Sequence, residues 1–326
     1  MTDYGFHASH EQISPGQLLE DVQRAERAGF RMAMCSDHFA PWSAAQGESG
    51  FSWAWLGAAL ATTALRFGTV CAPGQRYHPA VVAQAAATLA QMFPDRFWLA
   101  LGTGQNMNEH ITGDKWVDKS TRQARLEECV DVIRRLHRGE EVTHHGLVEV
   151  DHARIYSLPE SPPTLLGPAL TPATAERAAG WADGLITINQ GLDETDRVLR
   201  AYRDAGGSGP TAVQIHLSIA PTLEQARGIA REQWQNHALD DPLPADLATP
   251  EEFDAAGRYV PDDKIAEGVI VTDSVPELVS RLRQYEDLGV DEIYLHHVAA
   301  DQGPFLKLAE QELLPALHRP GPPSST

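Results

Sequence analysis

The chain has little cysteine, few cations and no long apolar run, and each shortage closes off a class of function. Its three cysteines, Cys35, Cys71 and Cys129, show no CxxC spacing, so neither a disulfide framework nor a cysteine-based zinc site is expected. Lysine and arginine number 26 against 45 aspartates and glutamates, a formal net charge of −19. That balance argues against nucleic acid or an anionic membrane surface as a partner. It also requires a phosphorylated ligand to be held locally, by backbone N–H groups at a helix start. No apolar run approaches the ~18 residues of a membrane span, and no signal-peptide pattern precedes Tyr4, so the expected compartment is the cytosol. Fixed-period repeats and low-complexity tracts are missing. No GxGxxG follows the first strand, which weighs against an open doubly wound sheet.

What is present is alternation. The 326 residues suffice for one large α/β domain or two small ones, and 42% hydrophobic content is ordinary for a globular protein. Strand segments at Tyr4–Ala8, Phe30–Ser36, Arg66–Val70 and Phe97–Leu101 are separated by helical segments at Pro15–Ala28, Phe51–Thr63 and Pro79–Met92. Ser14-Pro15 reads as an N-cap and a first-turn proline, and Gly29 as a stop. After an amphipathic helix over Lys119–Arg138, Val142–Tyr156 reads as a β-hairpin excursion with His144-His145-Gly146 between its arms. Alternation resumes through strands at Leu165-Leu166, Gly184–Ile188, Val213–Ala220 and Glu292–His297. Asp240–Asp263 reads as an insertion with short helices, and Val269–Val271 could be a ninth strand. Short connections between strands and helices imply parallel strands and right-handed crossovers. The expected fold is a (β/α)8 TIM barrel in one domain over 1–319, with insertions near 142–156 and 238–266 and a frayed tail at 320–326.

A barrel places its chemistry at the strand C-termini, and polar residues gather there. Met32–Ser36 opens into Asp37-His38, followed by Pro41-Trp42. His38 is the leading acid–base candidate, because an imidazole titrates near neutrality; a purely structural hydrogen bond is the competing reading. Glu11 follows the first strand, and Glu109 closes the loop after the fourth. Gly102-Thr103-Gly104 would let a flat ligand approach the backbone, and Gln105 and Asn108 offer amides to a pyrimidine-like ring edge, although both could simply cap the loop. Gly167–Thr171 precedes a helix and suits a phosphate, with Thr171 as an ordinary N-cap on the plainer reading. His7, His10, His38, His110, His144 and His145 form no HxH or HExxH pattern, so no metal site is expected.

The segments Ser36–Trp42, Arg76–Val81, Gly102–Glu109, Trp181–Gly184 and Asp291–His296 together resemble the bacterial luciferase-like superfamily of flavin- and deazaflavin-dependent oxidoreductases. They are spread over almost the whole chain in the expected order. The branch they most resemble surrounds the deazaflavin-dependent glucose-6-phosphate dehydrogenases. The resemblance implies a homodimeric barrel with an isoalloxazine-type ring over the strand ends. Asp37 would contact the ring, His38 would face its reactive centre and Trp42 would wall the substrate pocket. Val70, Cys71 and Ala72 would form a bulge behind the ring. Gly104, Gln105 and Asn108 would hold the ring, and Gly167, Pro168, Ala169, Leu170 and Thr171 the phosphate. Glu11 matches a pocket glutamate, and Glu109 would assist proton transfer.

Two departures shape the functional expectation. Gln105 stands where the sugar-phosphate enzymes have a glutamate, and an amide cannot be a general acid. Thr187–Gln190 lacks the lysine those enzymes use for the substrate phosphate. The expectation is therefore an FMN-dependent oxidoreductase or monooxygenase acting on a small organic substrate, with a partner flavin reductase as the candidate source of reduced flavin. The alternatives are a dehydrogenase using the deazaflavin coenzyme F-420 and a non-catalytic flavin-binding protein.

Overall fold

The computed structural model describes residues 2–239 and 243–318. Its strands are β1 (Asp3–Ala8), β2 (Met32–Ser36), β3 (Arg66–Cys71), β4 (Phe97–Leu101), β5 (Val142–His145), β6 (Glu149–Ala153), β7 (Thr164–Pro168), β8 (Gly184–Ile188), β9 (Thr211–Ile219), β10 (Ile270–Thr272) and β11 (Glu292–His297). All except β5 and β6 join one parallel sheet in the order β10-β9-β11-β1-β2-β3-β4-β7-β8, and β8 pairs back onto β9. That last pairing closes a ring of eight strands: the TIM barrel expected from the alternation. The ninth strand does exist as β10, but it pairs only with β9 and lies outside the ring.

Local chemistry sets the element ends. Helix Pro15–Ala28 starts on a proline and stops at Gly29, whose φ of 111° is open to glycine at little steric cost. Ser14 occupies the N-cap position, but its side chain makes no capping bond, so the proline alone sets that start. Thr171 does cap helix Pro172–Ala179, accepting from the Thr174 N–H. Arms β5 and β6 form the antiparallel hairpin excursion, with the histidines at the end of β5 and the turn after them. The insertion carries short helices at Leu243–Asp246, Pro250–Gly257 and Asp262–Gly268. The expected tail at 320–326 lies outside the described residues.

The barrel interior is plugged. Met32, Met34, Trp98, Ala100, Leu166, Ile186, Ala212 and Tyr294 pack as one inner cluster. Trp98 Nε1–H donates to Tyr294 Oη at 3.1 Å, and Tyr294 donates to Glu292 at 2.7 Å. Two glycines make room for these rings. A Cβ on Gly68 would lie 1.7 Å from the Trp98 indole, and one on Gly5 2.5 Å from Tyr294. With the barrel filled there, a ligand is left the mouth formed by the strand C-termini. The described residues include no helix long and apolar enough to cross a membrane.

Candidate active site

A cavity of about 1080 Å³ opens at the C-terminal ends of the strands. His38, one residue beyond the Asp37 that follows β2, lines it together with Glu11 and Trp42. His38 Nδ1 lies 2.7 Å from Glu11 Oε1, and the other Glu11 oxygen accepts from Ser9 Oγ at 2.8 Å. Burial alone would push the Glu11 carboxyl up. The neighbouring His38 charge and its hydrogen bond outweigh that and hold it well below the usual carboxylate range. Glu11 is thus a fixed anion that holds one imidazole nitrogen and leaves His38 Nε2 to the cavity. Trp42 stands edge-on to His38 at 5.0 Å and packs on His237 and Phe253, which makes it a rigid wall.

Arg76 is the hub of the opposite side. Its guanidinium donates to the Asp37 carboxylate at 3.0 Å and to the Asp37 carbonyl at 2.7 Å, while its backbone N–H donates to Glu109 at 2.7 Å. Asp37 also accepts from Ser52 Oγ at 2.7 Å. Both Asp37 oxygens have partners within the protein, so Asp37 anchors the loop after β2 where it lines the cavity. Asn108, which also lines the cavity, has a second job of the same kind. Its Oδ1 accepts the backbone N–H of Phe39 at 2.8 Å, and its Nδ2 faces Gln105 Oε1 at 3.5 Å, so it clamps that loop against the β4 loop. Burial pushes the Glu109 carboxyl up, with Arg76 opposing, and its Oε1 makes no hydrogen bond.

The residues expected to cradle a ring lie around β3 and β4. Val70, Cys71, Ala72, Gly104 and Gln105 line the cavity. Gly104 has φ of 80°, and a Cβ there would come within 2.9 Å of Glu109 Cγ and 3.4 Å of Ala72. Backbone bonds hold this wall: Asp37 N–H donates to Val70 and Gly102 N–H to Cys71. Burial pushes the Cys71 thiol well up, which leaves it an inert packing group. Pro168, Ala169, Leu170 and Thr171 also line the cavity, but Gly167 does not. A Cβ on Gly167 would meet the Ala178 methyl at 2.5 Å, so this glycine serves helix packing rather than a phosphate. Beyond them, Lys119, Arg122 and Arg177 line an outer arm, where Arg122 stacks over Trp116 at 4.1 Å.

Sequence reasoning missed the wall built from β9, β11 and the end of the helix Leu223–Trp234 with the turn after it. Gln214, His216, Trp234, His237 and His296 all line the cavity, as does His7 from β1. His7 stacks on His296 at 4.2 Å, and Trp234 on His237 at 3.9 Å. Burial pushes the His7 imidazole down to about 4 and His237 to about 3, and drives His216 and His296 well below normal. The wall is thus neutral at physiological pH. The recurrence of histidine on strands meeting at one mouth was the available signal. Among the described residues no group of three histidines, cysteines or carboxylates is placed to hold a metal ion.

This geometry has a counterpart in known proteins. The luciferase-like monooxygenase family model matches residues 2–292. The chain belongs to that family. As a luciferase-like oxidoreductase it is an enzyme. It is 36% identical to an F420-dependent glucose-6-phosphate dehydrogenase of Nakamurella multipartita, over 96% of each chain, and 34% identical to one of Mycobacterium avium, over 97% and 98%. Among solved structures, an F420-dependent secondary alcohol dehydrogenase in complex with an F420-acetone adduct superposes with a TM-score of 0.88 at 29% identity, covering 98% of this chain and 99% of that one. A monooxygenase from Streptomyces bottropensis shares the fold with a TM-score of 0.72 at 21% identity. Support for FMN is confined to such distant structural neighbours.

Proposed function

We propose that this luciferase-like enzyme is an F420-dependent dehydrogenase that oxidises an alcohol to a carbonyl compound. The deazaflavin alternative thereby replaces the FMN expectation. The observation that carries the reading is the His38–Glu11 pair at the cavity, with Nδ1 and Oε1 2.7 Å apart. A fixed carboxylate behind an imidazole makes a general base whose second nitrogen is aimed at the substrate. Two features of this chain favour the deazaflavin. Its full-length relatives use F420, and Lys119 and Arg122 line the cavity beside Arg177, which is paired with Glu127 at 2.9 Å, so two cations stay open to an acidic cofactor tail.

The residues fit such a group. Val70–Ala72 and Gly104 line the cavity where a flat ring would sit, and Pro168–Thr171 lead into a helix N-terminus suited to a phosphate. When bound, the deazaflavin supplies a two-electron hydride acceptor. The protein's own residues do the rest. Trp42 fixes the substrate against His38, and the neutral histidine wall excludes bulk water. His38 Nε2 takes the hydroxyl proton as the carbinol C–H leaves with its electron pair, and the substrate's C–O bond becomes a carbonyl. Glu11 steadies the imidazole during that transfer. Thr187–Gln190 carries no cation, so a substrate phosphate has no partner there.

Titration of the purified protein with the deazaflavin and with FMN tests the reading. Tight deazaflavin binding, and its reduction by secondary alcohols at equal rates with and without oxygen, is the expected result. Preferential FMN binding with oxygen consumption would overturn it.

A further inference from the structure

The cavity wall opposite the ring cradle contains an amide whose orientation is forced. Around the closed barrel, β9 lies across from β3 and β4, which carry the Val70–Ala72 and Gly104 cradle. Gln214 on β9 lines the cavity between His216 on the same strand and His296 on β11.

Two backbone carbonyls settle the hydrogen positions. Asn189 Nδ2 donates to the Gly268 carbonyl at 2.9 Å, so its oxygen must face His216. That oxygen accepts from the His216 backbone N–H at 2.8 Å and from ring Nδ1 at 3.1 Å. His216 therefore carries its proton on Nδ1 and a lone pair on Nε2. On the other side, Gln12 Nε2 donates to the Val298 carbonyl at 2.7 Å, and its oxygen accepts from His296 Nε2 at 2.8 Å. His296 is then left with a lone pair on Nδ1. Gln214 Nε2 lies 3.1 Å from the first lone pair and 3.2 Å from the second. Both of its N–H bonds are consumed. A flipped amide would set its carbonyl against two lone pairs, so the flip is blocked.

One polar atom of Gln214 remains, its carbonyl oxygen, which has no hydrogen bond among the described residues and is open to the cavity rather than sealed in the wall. A second unsatisfied group stands beside it. His7 is 3% exposed, stacks on His296 at 4.2 Å, lines the same cavity and has no partner on either ring nitrogen. Buried polar groups without partners are uncommon, and those at a ligand cavity are expected to be completed by the ligand.

The geometry points to Gln214 as a specificity-determining residue that accepts a hydrogen bond from a second hydroxyl of the substrate, so that the substrate class is a diol or polyol rather than a simple alcohol. This rests on the dehydrogenase reading. A substrate held between the cradle and the β9 wall has its reacting carbinol at His38 and its further hydroxyl at Gln214. The locked amide can accept there and cannot donate. A diol gains that hydrogen bond and a simple alcohol does not, which favours the diol.

The test compares 2-butanol with 2,3-butanediol, and 2-propanol with 1,2-propanediol, on the deazaflavin-loaded enzyme and on Gln214→Met, which keeps the side-chain length and removes the hydrogen bonds. The wild type is expected to favour each diol by about tenfold in kcat/KM. Gln214→Met should erase that preference. Binding read from Trp42 and Trp234 fluorescence in the cofactor-free protein should show the same diol preference without turnover. A wild type that shows no diol preference in either readout overturns the inference, even if Gln214→Met fails to fold. A preference that survives in Gln214→Met also overturns it. Absence of cofactor reduction by every alcohol defeats the dehydrogenase reading itself, and the diol assignment falls with it.

Discussion

Glu11 Oε1 and His38 Nδ1 are 2.7 Å apart, although one follows β1 and the other β2. These strands are neighbours in the barrel, paired from Phe6 with Ala33 to Ala8 with Cys35. The pairing converts a separation of 27 residues into one imidazole–carboxylate contact. Glu11→Gln keeps the shape and removes the charge. It should lower kcat by about 10²-fold, in the range of general acid–base contributions, with cofactor affinity nearly unchanged. Steady-state kinetics beside a cofactor titration checks this, and unchanged turnover would remove the pair from the mechanism.

Arg76 binds two buried carboxylates, Asp37 and Glu109. Arg76→Met should leave both uncompensated and cost about 3–5 kcal/mol of stability, the usual penalty for breaking a buried pair. Asp37→Asn in the same background should recover part of the loss, because it removes one stranded charge. Urea denaturation of the single and double variants provides the measurement; a loss below about 1 kcal/mol would contradict the hub assignment.

Gly68 exists to admit Trp98, since a Cβ there would stand 1.7 Å from the indole. Gly68→Ala should destabilise the barrel by about 3 kcal/mol or more, at the severe end of overpacking. Trp98→Leu, destabilising alone, should be less harmful in the Gly68→Ala background, so the two effects should be strongly non-additive. Thermal melts of the four proteins decide it, and simple additivity would refute the contact.

Acid should unfold this protein early. Burial pushes His7, His10 and His297 down to about 4, and His237 to about 3, with His216 and His296 also well below normal. Above pH ~6.5 these groups are neutral in both folded and unfolded chains and contribute nothing. As pH falls below ~6.5, the unfolded chain binds protons that the folded chain refuses, so stability falls down to the folded values. A shift to about 4 amounts to about 3 kcal/mol per histidine at the bottom of that window. Glu11, held low, adds a loss of the same sign at still lower pH. Several such histidines exceed a typical net stability, and unfolding is expected near pH ~5. Melting followed by circular dichroism from pH 7 to 4.5 tests this, and a constant Tm over that range would count against neutral burial.

Much of the fold was legible in the sequence because its signals are local. Strand and helix periods, first-turn prolines and Gly29 depend on near neighbours, so the eight-unit barrel followed from alternation alone. The motif at Ser36–Trp42 was legible for the same reason, since a strand end opening into Asp37, His38 and Trp42 is contiguous. The neutral histidine wall was not, because Gln214 and His296 are 82 residues apart and meet only through the parallel pairing of β9 with β11.

The sequence by itself determined the barrel, the acidic surface and the residue types at the mouth. Only the tertiary structure decided their jobs. Whether a polar group reaches a ligand depends on which of its atoms remain unpaired after folding, and that is set by partners distant in the chain. Asp37 and Asn108 read as ligand contacts, and folding also gives them the task of tying the loop after β2 to Arg76 and through the Phe39 backbone. Gln214 looked like one strand residue among many, and two locked imidazoles leave its carbonyl oxygen for the cavity.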